Sequence, residues 1–102
     1  MKAAVVTLFS LLSFLSAATA GTIRKQYLCT DGTRLVATFH TPATEPGTVT
    51  LVFLRSGKRL TLPRAISADG GRYADASTQF WIKGNGASLT HGDRNSTCRT
   101  SS

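Results

Sequence analysis

Residues 48–62 read TVTLVFLRSGKRLTL, and their alternation decides the fold class. Val49, Leu51 and Phe53 fall on one side of an extended chain, with Thr48 and Thr50 opposite. After Arg55-Ser56-Gly57-Lys58, Leu60 and Leu62 share a side while Arg59 and Thr61 face away. A period of two on both sides of a small polar-Gly turn predicts an antiparallel β-hairpin.

The same pattern extends outward in both directions. Leu35, Ala37 and Phe39 alternate with Arg34, Val36 and Thr38; Phe80 and Ile82 with Gln79, Trp81 and Lys83; Ala87 and Leu89 with Ser88 and Thr90. Thr30-Asp31-Gly32-Thr33, Gly84-Asn85-Gly86 and His91-Gly92-Asp93-Arg94 mark further turns, and Thr41–Gly47, with Pro42 and Pro46, reads as a loop. No stretch beyond residue 20 has a helical period. Seven or eight short strands at this spacing predict an all-β antiparallel barrel or sandwich, and a barrel is favoured because closure removes exposed edges.

Residues 1–20 stand apart. Met1-Lys2 gives a positive start, Ala3–Leu15 is apolar, and Ala18-Thr19-Ala20 supplies small residues before a cut ahead of Gly21. The apolar run is shorter than the ~20 residues a spanning helix needs. The reading is a cleaved export signal, followed by one small domain over residues 21–102. No Cys follows the cut, so a lipid anchor is not indicated, and a soluble periplasmic protein is expected.

A domain of about 80 residues buries little more than 60% of its unfolded surface and gains from a covalent staple. Cys29 and Cys98 have one intramolecular pairing in an oxidising compartment. A catalytic or metal-binding thiol is the alternative, but there is no CxxC and no His at ligand spacing. A structural bridge is therefore expected.

The formal charge is +7, of which Lys2 leaves with the signal. Arg24-Lys25, Lys58-Arg59, Arg64, Arg72, Lys83, Arg94 and Arg99 are scattered, with no basic tail and no nucleic-acid motif. His40 and His91 are isolated from other ligand types, and of Asp31, Glu45, Asp69, Asp75 and Asp93 three sit in turns where Asp serves the backbone. No nucleophile–base pair, paired carboxylates or metal set emerges, so no enzyme, metal or cofactor is expected.

One segment stands out chemically: Ser67-Ala68-Asp69-Gly70-Gly71-Arg72-Tyr73-Ala74, followed by Phe80-Trp81-Ile82-Lys83-Gly84. Two glycines free the backbone, and the segment then presents a cation and an aromatic ring. If Phe80 and Ile82 face inward, Lys83 points to solvent. These residues resemble the MliC/PliC-type inhibitors of C-type lysozyme, with their Tyr-x-Cys first strand, Ser-Gly-x-x-Tyr loop, Phe-Trp-x-Lys-Gly strand end and late cysteine. Tyr27-Leu28-Cys29, Gly70-Gly71-Arg72-Tyr73, Phe80–Gly84 and Cys98 carry the likeness, and Leu60-Thr61-Leu62-Pro63 is similar to the preceding family strand.

The resemblance implies an eight-stranded barrel, a Cys29–Cys98 bridge, and inhibition by a polar loop inserted into the lysozyme cleft. Asp69, Gly70, Gly71, Arg72, Tyr73 and Lys83 are then the expected lysozyme contacts. A retaining glycosidase keeps two carboxyl groups about 5 Å apart, and a small loop reaching both excludes substrate. The departure is Asp69, which stands where the family has serine. An ionised aspartate only accepts hydrogen bonds, and near a catalytic carboxylate it adds like-charge repulsion. Two rivals remain: a module binding anionic envelope material through scattered cations, and a structural envelope barrel without inhibitory activity. Whether the barrel pairs into a homodimer stays open.

Overall fold

The alternation in the sequence becomes an inside and an outside. The computed structural model describes residues 20–43 and 46–101. The expected export signal, apart from Ala20, and Glu45 lie outside the described residues. Eight strands follow in order: β1 Gly21–Cys29, β2 Arg34–Thr41, β3 Thr48–Phe53, β4 Arg59–Ala65, β5 Gly71–Ala74, β6 Thr78–Lys83, β7 Gly86–His91 and β8 Arg94–Thr100. Each pairs antiparallel with its chain neighbour, and β1 pairs with β8, so the sheet closes as an up-and-down barrel. The eight-stranded barrel expected from the sequence is what forms.

The interior is built from the predicted apolar set. Leu35, Ala37, Val49, Leu51, Leu62 and Phe80 are fully buried, with Tyr27 beside them. Leu51 lies opposite Ala37 on one side and Leu60 on the other, so successive strands deliver their apolar faces to one place. Tyr27 meets Phe80 edge-on at 5.2 Å between centroids, and Phe39 meets Tyr73 at 5.7 Å. Each large side chain so buried contributes roughly 1.5–3 kcal/mol. Burial also pushes the Tyr27 phenol above its ordinary range, with Tyr73 nearby as the lesser cause.

Cys29 and Cys98 are directly opposed in the β1–β8 pair and form a disulfide, 69 residues apart in sequence. The bridge sits in the short seam that closes the barrel. Constraining a loop of that length in the unfolded chain is worth about 4 kcal/mol by the entropic argument.

Because neighbouring strands alternate in direction, the connections segregate to two ends. One end carries the β1–β2, β3–β4, β5–β6 and β7–β8 turns. The other carries the β2–β3 loop, the β4–β5 loop (residues 66–70) and the β6–β7 turn. The sequence reading treated Ser67–Ala74 as one loop; the structure divides it, since Gly71–Ala74 forms β5. The reason is cross-strand support, because Tyr73 pairs with Phe80 and both rings turn inward. The β4–β5 seam is the thinnest in the barrel, with only Arg64↔Tyr73 and Ala65↔Arg72 in register.

Candidate functional site

The β4–β5 loop begins just beyond that thin seam, and side chains from the barrel wall hold it. Gly70 takes φ +67°, in the left-handed region where a Cβ is disfavoured. Its α-carbon also lies so close to the Ile82 carbonyl oxygen that a Cβ would collide with it. Gly71 has no such need. It is absent from the positive-φ glycines, and a Cβ there would meet only ordinary side-chain contacts, the Tyr73 ring at 3.5 Å and Ile82 Cδ1 at 4.0 Å. Of the two adjacent glycines, one makes the turn.

Three side chains then stitch the loop. The Trp81 indole N–H donates to the Asp69 carbonyl at 3.0 Å. Arg72 donates through Nη1 to the Ile66 carbonyl at 3.1 Å, and the Ser67 hydroxyl donates to the Gly70 carbonyl at 3.2 Å. Arg72 is itself fixed by a 2.7 Å bond from its Nε to Gln79 Oε1. The guanidinium is thus half-buried and engaged in framing the loop.

Lys83 is the exposed cation of the site. The register places Trp81 opposite Arg72, and Lys83 two residues further along the same outer face of β6. Lys83 Nζ lies 4.6 Å from the Trp81 ring centroid and Arg72 Cζ lies 5.9 Å from it. Both cations therefore share one side of the molecule, as a single receiving groove requires. Lys83 Nζ also stands 3.9 Å from Asp69 Oδ1, with side chains 60% and 71% exposed. Such a solvated pair is worth about 0–1 kcal/mol, so it orients more than it stabilises.

Of the six residues expected to touch a partner, Asp69, Gly70, Arg72 and Lys83 converge at the loop. Gly71 follows in the strand. Tyr73 is different: it is buried among Phe39 and Phe80, with Arg64 over its ring at 5.7 Å, and acts from beneath as part of the wall. Sequence reasoning quoted Trp81 within the motif without counting it among the contacts, and it gave Gln79 and Ile66 no role at the site. Trp81 is the hub of the outer face, Gln79 anchors Arg72, and Ile66 is 93% exposed within the loop. The period of two already put Gln79, Trp81 and Lys83 on one face, so that signal existed. Ile66 had no period to reveal it.

Among the described residues no group of three or more His, Cys, Asp or Glu side chains is arranged to hold a metal. Among the same described residues no helix is long and apolar enough to cross a membrane. On this geometry the site is a rigid polar protrusion suited to binding.

Comparison with known proteins adds two findings. The sequence profile of the MliC family, described as "Membrane-bound lysozyme-inhibitor of c-type lysozyme", matches residues 27–97. Among solved structures, Pseudomonas aeruginosa MliC in complex with hen egg white lysozyme is similar with a TM-score of 0.70 and 24% identity. The match covers 90% of this chain and 95% of that one. At that identity the likeness speaks for the fold. No curated protein matches the chain.

Proposed function

The chain belongs to the MliC family of membrane-bound lysozyme-inhibitors of c-type lysozyme, and from that premise we propose that it inhibits C-type lysozyme by seating the 66–70 loop and Lys83 in the enzyme's cleft. The observation that carries this reading is the loop itself, pinned to the barrel by Trp81 and Arg72, closed on itself by Ser67 and flanked by an exposed ammonium. A loop already held in its bound shape loses little conformational freedom on docking, and that is where much affinity is otherwise lost. The similar P. aeruginosa protein is itself seen in complex with hen egg white lysozyme.

Within the cleft the chemistry is complementary. A retaining glycosidase places two carboxyl groups about 5 Å apart. Lys83 supplies a charge-assisted donor to an ionised carboxylate, while the backbone groups of Asp69–Gly71 approach closely because Gly70 and Gly71 carry no side chain. Asp69 is the one unfavourable partner in this arrangement, an acceptor brought near carboxylates, and Lys83 beside it lessens the repulsion without removing it. Ile66 adds an apolar edge to the contact. Inhibition needs no chemistry from the inhibitor: occupancy of the cleft excludes the polysaccharide.

Residues 1–20 are proposed as the export signal, which releases the barrel into the periplasm. Mass spectrometry of the exported protein should give an N-terminus at Gly21. The decisive test of function is turbidity loss of a cell-wall suspension with lysozyme, with and without the purified mature protein. Stoichiometric protection that Lys83→Ala weakens at least tenfold supports the reading. Protection that survives both Lys83→Ala and Trp81→Ala places the contact elsewhere on the barrel.

A further inference from the structure

At the end of the barrel away from the loop, the interior opens into a cavity of about 860 Å³. Phe53, Leu54, Leu60 and Leu89 form its apolar wall. The register shows why this is the barrel's own mouth. Phe53 lies opposite the buried Leu35, Leu60 opposite the buried Leu51, and Leu89 opposite Ser96, so the inward faces of β3, β4, β7 and β8 continue up to the rim. Leu54, which follows β3, stays 44% exposed there.

The rim is cationic. Arg34, Arg55, Lys58 and Arg94 line the cavity, against a single acid, Asp31. That carboxylate is occupied by its own turn, where it accepts from the Thr33 N–H at 3.0 Å. Asp75, on a neighbouring turn of the same end, is likewise bound by the N–H groups of Ser77 and Thr78. Asp93 sits in the β7–β8 turn beyond the lining. An apolar pocket of this size in a barrel mouth, ringed by guanidinium and ammonium groups, has the make-up of a ligand site for a molecule with a tail and an anionic head.

We infer that this mouth binds a single-chain amphiphile with a phosphate head, the alkyl chain entering between Phe53, Leu60 and Leu89 and the phosphate meeting Arg34, Arg94 and their neighbours. Positive charge that is spread along the sequence acquires a use, because the fold gathers Arg34, Arg55, Lys58 and Arg94 around one opening. The site is separate from the proposed lysozyme contact, so the two readings stand or fall independently.

Dodecyl phosphate below its micelle concentration is the probe, followed by calorimetry and by amide chemical shifts of the mature protein. Saturable binding is expected, with the shifts confined to residues 31–34, 53–60 and 89–96. Dodecyl maltoside, with the same tail and a neutral head, and inorganic phosphate, with no tail, should each bind at least tenfold more weakly. Leu54→Asp, or Arg34→Glu with Arg94→Glu, should weaken dodecyl phosphate at least tenfold. Arg24→Glu with Arg99→Glu, equal in charge change but on the outer surface, should change it less than twofold. Lysozyme inhibition should be unaltered in every variant. Equal weakening by both charge reversals, equal binding of the maltoside, or shifts centred on residues 66–72 would overturn the proposal. The wild-type shift map decides the matter even if a variant fails to fold.

Discussion

Gly70 and Gly71 are neighbours, yet the structure predicts opposite outcomes for the same substitution. Gly70→Ala puts a Cβ on a residue at φ +67° and drives it into the Ile82 carbonyl. The left-handed conformation alone costs an alanine roughly 1–2 kcal/mol. The collision cannot be relieved by rotating a side chain, because the obstructing atom belongs to the β6 backbone. The loop must therefore move, and with it the Asp69 carbonyl that holds Trp81. In a domain of this size each 1 kcal/mol lowers Tm by about 4–8 °C, so a fall of roughly 5–15 °C is expected. Gly71→Ala meets nothing closer than ordinary contact with Tyr73. By stiffening the unfolded chain it should leave stability unchanged or raise it by about 0.4–1 kcal/mol. Thermal melts by circular dichroism read the stability, and lysozyme inhibition reads the loop. Gly70→Ala should lose most inhibition at temperatures where it is still folded, and Gly71→Ala should keep it. If both variants melt and inhibit alike, the reasoning from loop geometry is wrong.

Four further outcomes follow from the same geometry. Replacing Cys29 and Cys98 with serine should cost about 4 kcal/mol in urea unfolding while leaving inhibition intact in the cold, because the bridge lies in the β1–β8 seam and not at the loop. Trp81→Phe keeps a ring but removes the donor to Asp69; a hydrogen bond worth about 0.5–1.5 kcal/mol translates into inhibition weaker by roughly two- to twelvefold, measured by titration calorimetry. Asp69→Ser should improve inhibition of hen lysozyme about fivefold, since one like-charge contact near 4 Å in water is worth about 1 kcal/mol; an unchanged value removes the idea that Asp69 is a handicap. Finally, backbone donors hold Asp31 and Asp75 below the usual carboxylate range, from Thr33 for the first and from Ser77 then Thr78 for the second. Their contribution is complete above the unfolded value of about 3.9 and is lost as pH falls through the lower folded values, so Asp31→Ala with Asp75→Ala should flatten the drop in Tm on acidification.

How much was legible in the sequence depended on whether residues advertise their face. Strands β2, β3, β6 and β7 were readable because large apolar residues alternate with polar ones, and the turns because glycine stood where φ is positive, as at Gly32, Gly57, Gly84 and Gly92. The C-terminal strand gave no such sign. Its inward residues are Ser96 and Cys98, one small and polar and the other masked by its role in the bridge. The first strand was similarly faint. From Gly21 to Gln26 it is exposed throughout, and pairing with β2 rather than burial makes it a strand. At the site, the period of two located Lys83 and Trp81 on one face. It could not say that Arg72 turns back to hold Ile66 and Gln79, because that depends on where a loop from another strand happens to lie. The cavity mouth was invisible for the same reason, since Arg34, Arg55, Lys58 and Arg94 meet only when three turns are brought together.

The division between Arg72 and Lys83 bears on how such a loop would achieve affinity under the proposed function. Two cations near one indole look equivalent in sequence, yet Arg72 commits its Nε and Nη1 donors to the framework, while Lys83 is the one the proposed function assigns to a partner. Arg72 suits the first task because a planar fork with donors in fixed directions bonds Gln79 and Ile66 at once. Lys83 suits the second because a compact ammonium on a flexible stem can follow a carboxylate. Exchanging the two would leave the charge count unchanged but give the framework an ammonium without the fixed fork that reaches Gln79 and Ile66 together, and the cleft a planar fork that asks for a fixed geometry. The ordering cost of the loop falls in the folding of the barrel, where the core and the bridge stabilise it, so the proposed docking would start from an ordered loop.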